Sequence, residues 1–207
     1  MAEFDRQTHW ENIYSLKDEQ QLSWYEAAPG ISLDLIRRAG VGRAACVLDV
    51  GGGLSHLVDA LVAAGQAHVT VLDLSPTALK KASARLSGPA NVSWVAADVT
   101  EWVPDRIYDV WHDRAALHFL TAEEDQAAYT AVMDKALGSG GIAIIGTYAP
   151  DGPQKCSGLE VSHHNADSLQ AILGEGYKLL STQPHEHVTP WGATQKFQFS
   201  MFQKNSG

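Results

Sequence analysis

The sequence predicts an α/β fold, a doubly wound and mostly parallel seven-stranded sheet that closes in a C-terminal antiparallel hairpin. Three observations predict it. From residue 44 onward, short Val- and Leu-rich runs alternate with helical patterns, the order that builds a parallel sheet through right-handed crossovers. The first run, Val47-Leu48-Asp49-Val50, passes directly into Gly51-Gly52-Gly53, a turn whose glycines let backbone approach a ligand closely. Near the end, Tyr177 to Val188 and Gln195 to Lys204 flank Thr189-Pro190-Trp191-Gly192, which reads as an edge hairpin.

The 207 residues fit one domain, 1–207, with an aromatic segment over 1–30 and a core over 44–204. Hydrophobic content of 45% and charged content of 19% are ordinary for a globular chain. No run reaches the ~18 apolar residues of a membrane span, so no membrane partner is expected. Met1 to Trp10 has no apolar signal core. Cys46 and Cys156 are too few for a disulfide framework. Together these predict a cytoplasmic protein. A net charge of -9 with scattered Lys and Arg excludes a nucleic-acid partner, because phosphate neutralisation needs clustered cations.

Phe4, Trp10, Tyr14, Trp24 and Tyr25 make the first thirty residues too aromatic for a disordered tail. They read as an arm packed on the domain or as a lid whose rings cover a ligand. Ile31 to Ala39 reads as a helix stopped by Gly40 and Gly42. After the glycine turn, Leu54 to Ala64 carries a helical apolar pattern. His68 to Leu74 is a second strand, and Ser75-Pro76 caps the helix that follows. Val92 to Asp98 is a third strand and Ile107 to Trp111 a fourth, running into His112-Asp113-Arg114. Thr121-x-x-Glu124 reads as a capping box for a helix through Leu137, closed by Gly138 and Gly140. Gly141 to Tyr148 is a fifth strand, apolar enough for burial on both faces. A loop from Ala149 to His164 precedes a short helix capped by Asn165.

The glycine turn is not that of a dinucleotide fingerprint, since His56 stands where the third glycine packs helix on strand. Three successive strands instead end in acids, Asp49, Asp73 and Asp98. In a parallel sheet those ends share one rim, and Asp73 lies about twenty residues past the turn, where an acid reaches ribose hydroxyls.

With these residues in place, the layout over about 44–204 resembles the class I S-adenosylmethionine-dependent methyltransferases, whose fold is Rossmann-like. The resemblance implies S-adenosylmethionine as cofactor. It implies that Gly51 and Gly53 lie under the methionine part, with Asp49 near its amino group. By the same resemblance Asp73, with Leu74 beside it, holds the ribose; Asp98 and Val99 hold the adenine; and Trp111 and His112 form the last wall. Trp10-Glu11-x-x-Tyr14 and Ser23-Trp24-Tyr25 are similar to the N-terminal signature of a subgroup that includes protein-lysine methyltransferases. His112-Asp113-Arg114, Lys155-Cys156-Ser157-Gly158 and Thr189-Pro190-x-Gly192 instead resemble small bacterial methyltransferases.

A sulfonium donor suits this composition, because faces such as Trp10, Tyr14 and Trp24 stabilise a desolvated cation by about 0.5–2 kcal/mol each. The acceptor's proton needs a destination, for which the catalytic candidates are His112, Asp113, Arg114, His118, Cys156, His185 and His187. Each has a plainer reading. Asp113 and Arg114 fix a loop, His118 sits in an apolar run as a core histidine, and Cys156 is an ordinary loop thiol. His185 and His187 share one strand face, as a metal pair, as acceptor-pocket walls or as surface residues; no zinc spacing is present and no metal is expected. The sequence thus predicts methyl transfer to a small-molecule nucleophile, a thiol being the specific expectation. A protein substrate, a nicotinamide-dependent reductase and a non-catalytic cofactor-binding module are the alternatives.

Overall fold

The computed structural model describes residues 5–206; Phe4 lies outside them. The chain runs α1 (Arg6–Leu16), α2 (Gly30–Arg38), β1 (Cys46–Val50), α3 (Leu57–Ala63), β2 (His68–Asp73), α4 (Pro76–Arg85), β3 (Val92–Ala96) and β4 (Tyr108–Arg114). It continues with α5 (Glu123–Ala136), β5 (Leu137–Tyr148), β6 (Lys155–Cys156), β7 (Leu159–Glu160), α6 (Ala166–Leu173), β8 (Tyr177–Val188) and β9 (Thr194–Lys204). Seven strands form one sheet in the order β3-β2-β1-β4-β5-β9-β8, and β6-β7 form a separate small ribbon. Pairing is parallel from β3 to β5 and antiparallel where β9 meets β5 and β8. The predicted doubly wound sheet and its C-terminal hairpin are therefore both present.

Strand side chains alternate between faces, and the core divides accordingly. On one face Val47, Val69, Val110, Ile142 and Ile144 pack with Leu35 and Ile36 of α2 and Leu57 and Leu61 of α3. On the other, Leu48, Leu72, Trp111, Ala143 and Ile145 pack with Tyr129 and Met133 of α5 and Leu169 of α6. A third cluster, Tyr14 and Leu22 against Leu54, Ala78 and Ala82, seats the N-terminal arm on α4.

Several boundaries differ from expectation, each for a local reason. Helix α3 starts at Leu57, three residues later than its apolar pattern, because Gly51 (φ 64) and Gly53 (φ 47) extend the turn and Ser55 accepts from the Leu57 N–H. His112, Asp113 and Arg114 are not a loop after the fourth strand but its last three residues, paired with Asp49, Val50 and β5. Thr121 forms no capping box: α5 begins at Glu123 with Ala122 as an N-cap without a side-chain bond. Three acids in its first turn, Glu123, Glu124 and Asp125, complement the helix dipole in its place. Gly138 and Gly140 do not close that helix. They lie in the start of β5, where pairing jumps from Tyr108–Leu137 to Val110–Ile142 and Gly140 (φ 74) carries the bulge. Asn165 caps α6 as expected, in a reciprocal pair with Ser168.

Candidate functional site

An elongated cavity of about 840 Å³, part of it open to solvent, follows the rim formed by the C-terminal ends of the parallel strands. The space within it that the centre of a water-sized sphere can reach is about 100 Å³. Its wall runs across the sheet, from Asp98 and Val99 beyond β3, past Leu72, Asp73 and Leu74 at β2 and Gly51 after β1, to Arg114 on β4, Tyr148 on β5 and Phe197 on β9.

The aromatic segment is the roof. Trp10, Tyr14 and Trp24 all face the cavity, with ring centroids 5.8–6.3 Å apart, and Trp10 stands edge-on to Phe119 at 4.8 Å. The arm is fastened at each end. Arg6 lies 3.2 Å from Asp98 and 3.2 Å from Asp125. Glu11 accepts from the Ser75 hydroxyl at 2.5 Å and from the Thr77 hydroxyl, placing a carboxylate at the positive end of α4. Lys81 donates to the Tyr14 carbonyl at 2.6 Å. At the other end Glu26 lies 3.2 Å from Arg114, and the carbonyls of Ser23 and Trp24 meet His187 and Arg114 at 2.6 and 3.0 Å.

Two of the three predicted acids line the cavity. Asp73 is 6% exposed and accepts from the Ser75 N–H at 2.8 Å. Burial pushes its carboxyl up to about 7, the N–H groups of Ser75 and Gly53 pull it back, and the charges of Asp49 and Glu11 push it up further. Asp98 accepts from the N–H and hydroxyl of Thr100. Asp49 is turned under the glycine turn, where its Oδ1 lies 2.7 Å from Nδ1 of His112. The turn itself is tightly closed. A Cβ on Gly51 would lie 2.8 Å from that of Ala116, one on Gly52 would strike Val71 and Asp49, and one on Gly53 would lie 2.4 Å from the Tyr14 hydroxyl.

Of the residues singled out from the sequence, the cavity brings together Trp10, Tyr14, Trp24, Gly51, Asp73, Leu74, Asp98, Val99, Arg114 and Cys156. Asp49 and Gly53 stand directly behind this wall. Trp111 is not a wall residue: strand alternation sends it to the opposite face, where its indole N–H donates to Tyr129 at 2.7 Å. His112 points to the cavity side of the sheet but is held beneath the turn by Asp49, 2% exposed. Asp113 is fully buried and accepts from the N–H groups of Ala116 and Leu117 and from the Tyr129 hydroxyl. Burial lifts its carboxyl to about 6 against those three donors. It shapes the loop after β4, which holds Ala115 at φ 71 on the cavity wall.

His118 is a core histidine, fully buried between Phe119 and Tyr148. Burial, aided by His164, His163 and Arg114, drives its imidazole down to about 3. His185 and His187 share a strand face as expected, but both turn to Glu26, at 3.8 and 3.2 Å, in a separate open depression. Among the described residues no group of three or more His, Cys, Asp or Glu side chains is arranged to hold a metal ion.

The sequence reading missed Arg6, Glu26, Phe119, Tyr148 and Phe197. Tyr148 at the end of β5 and Phe197 near the start of β9 sat in strands that read as core, and only the antiparallel pairing of the two residues at the rim brings them to the cavity.

Sheet order, strand-end acids and glycine turn together give the chain the fold of the class I S-adenosylmethionine-dependent methyltransferases. Residues 47–141 match the family model described as a methyltransferase domain, Methyltransf_25. Among curated proteins, the chain is 33% identical over 86 residues to malonyl-[acyl-carrier protein] O-methyltransferase of Anoxybacillus flavithermus (strain DSM 21510 / WK1), covering 41% of this chain and 33% of that protein. The matches span about a third to about half of the length of the curated relatives. Among solved structures, N-methyltransferase NodS from Bradyrhizobium japonicum WM9 in complex with S-adenosyl-L-homocysteine shares the fold at TM-score 0.74, with 17% identity over 97% of this chain and 99% of that one. A structure described as conversion of a disulfide bond into a thioacetal group during echinomycin biosynthesis does so at TM-score 0.78, with 20% identity over 96% of this chain and 93% of the other. Among the described residues no helix is long and apolar enough to cross a membrane.

Proposed function

We propose that the protein transfers a methyl group from S-adenosylmethionine to a small-molecule nucleophile in the cytosol. One observation carries this: one roofed cavity has buried Asp73 and half-buried Asp98 at one end and an apolar chamber around Phe197 at the other. Bound there, S-adenosylmethionine would supply a methyl group activated by a cationic sulfur. Asp73 would take the ribose hydroxyls, Asp98 and Val99 the adenine, and the turn at Gly51 the methionine part. Trp10, Tyr14 and Trp24 would face the sulfonium, a cation that aromatic faces favour. The remaining work is alignment and exclusion of water, which the roof performs.

The fold relatives do not choose an acceptor, since one is described as an N-methyltransferase and another by chemistry at sulfur. The chamber favours a small molecule over a protein side chain, because the fastened arm covers it.

Calorimetry with S-adenosylmethionine, S-adenosylhomocysteine and NADH tests the cofactor. Binding of the first two and not the third is expected; NADH binding alone would overturn the reading. A labelled-methyl screen over small thiols, amines and a cell lysate tests the acceptor, and label confined to a protein band would overturn the small-molecule class.

A further inference from the structure

Helix α1 turns Arg6, Trp10 and Tyr14 toward the cavity, a spacing of four that puts all three on one helix face. Trp10 and Tyr14 bring rings, and Arg6 brings charge. Its Nη2 lies 3.2 Å from Oδ2 of Asp98, beyond the end of β3. The same guanidinium meets both oxygens of Asp125 in the first turn of α5, with Nη1 3.2 Å from Oδ2 and Nη2 3.4 Å from Oδ1. A planar fork held bidentately is fixed in orientation as well as in place. Asp125 is off the cavity wall, whereas Arg6 and Asp98 are on it. The next residue, Gln7, donates to the Leu74 carbonyl at 3.2 Å, so consecutive side chains of α1 hold the chain just past β2 and just past β3.

The other ties at this end of the arm fasten it from outside the cavity. Glu11 engages Ser75 and Thr77, and Lys81 holds the Tyr14 carbonyl, and none of these four side chains is part of the wall. Arg6 differs because the oxygen it holds belongs to the wall. An ionised carboxylate accepts at about four lone-pair positions. Thr100 fills two on Oδ1 of Asp98, with its N–H at 2.9 Å and its hydroxyl at 2.7 Å, and Arg6 fills one on Oδ2. The position left over is on Oδ2, at the cavity end walled by Leu74, Ala97, Val99 and Leu120. A flat base seated among those apolar side chains, with an amino group on its edge, would complete the carboxylate. A base with only hydrogen at that edge position would not.

We propose that Arg6 is a specificity-determining residue for the methyl donor: it aligns the open oxygen of Asp98 for the amino group of a purine and closes the arm beside that base. Asp125 is a positioning residue that acts through Arg6. The inference rests on the methyltransferase reading and deepens it.

The test uses the full chain and calorimetry, beginning with S-adenosylhomocysteine itself. The second ligand is its counterpart whose purine carries hydrogen in place of the 6-amino group. The wild-type chain should prefer the amino form by about tenfold, the usual worth of one hydrogen bond to a charged group. Arg6→Ala should cut that preference to about twofold or less. Asp125→Asn, a change away from the cavity, should cut it part of the way, and adding it to Arg6→Ala should lower it no further. Should Arg6→Ala fail to fold, Arg6→Lys, which keeps the charge without the fork, and Asp125→Asn carry the test, each with a reduced preference expected. A role confined to fastening the arm would weaken both ligands equally and leave their ratio at the wild-type value. That outcome, or a wild-type chain without the preference, overturns the assignment while S-adenosylhomocysteine binding leaves the methyltransferase reading standing. Failure of S-adenosylhomocysteine to bind the wild-type chain overturns that reading instead.

Discussion

Asp49 and His112 face each other across β1 and β4, with Oδ1 and Nδ1 2.7 Å apart and both residues 2% exposed. The pair lies beneath the glycine turn, where Oδ1 of Asp49 is fixed to the neighbouring strand and its Oδ2 has no partner. His112→Leu would leave that carboxylate buried without its partner, at a cost of about 3–5 kcal/mol. For a chain of this length the melting temperature should drop by about 10 °C in calorimetry. A drop within experimental error would mean the pair holds nothing.

Gly53 (φ 47) has the Tyr14 hydroxyl where a Cβ would stand. Gly53→Ala should therefore lift Tyr14 and loosen the roof, weakening S-adenosylhomocysteine binding by about tenfold, or ~1.4 kcal/mol. Tyr14→Phe in the same chain removes the clashing oxygen and should restore part of that loss. Equal losses in the single and double variants would assign the effect to backbone strain alone.

Asp73 has a folded-state value raised to about 7, chiefly by burial. The folded chain therefore holds a proton here that the unfolded chain gives up near pH 4, and stability falls as pH rises from about 4 to about 7. Relative to Asp73→Asn, the wild-type chain should lose stability across that window and level off above it, as read by urea unfolding at each pH. Asp113 shifts in the same direction but is common to both chains and cancels in the comparison. A pH-independent difference would rule out the raised value.

Cys156 lines the cavity with its thiol held protonated. Cys156→Ala should leave S-adenosylhomocysteine affinity within about twofold and reduce methyl transfer by less than tenfold, since it removes a wall and not a base. A loss of a thousandfold or more would make this thiol part of the chemistry.

What the sequence disclosed follows from its periods and its turns. The strands, the cap at Ser75-Pro76, the cap at Asn165 and the existence of the last hairpin are local signals, and each was readable. The acids at Asp73 and Asp98 were readable because strand ends in a parallel sheet share a rim. Trp111 was misplaced because the parity of a strand buried on both faces leaves no polar alternation to read. Arg114 could be named but not assigned, since its partners Glu26 and His187 lie 88 and 73 positions away in the chain and meet only through the arm and β8. Tyr148 and Phe197 carried no signal beyond hydrophobicity.

The arm is anchored at Asp98, at Ser75 and Thr77, and again at Arg114 and His187. A covering tied down on both sides of its contents imposes an order of traffic. The donor has to be seated before the arm closes over it, and the spent donor leaves only when those ties break. Turnover should then be paced by release, with S-adenosylhomocysteine competing against the donor and not against the acceptor.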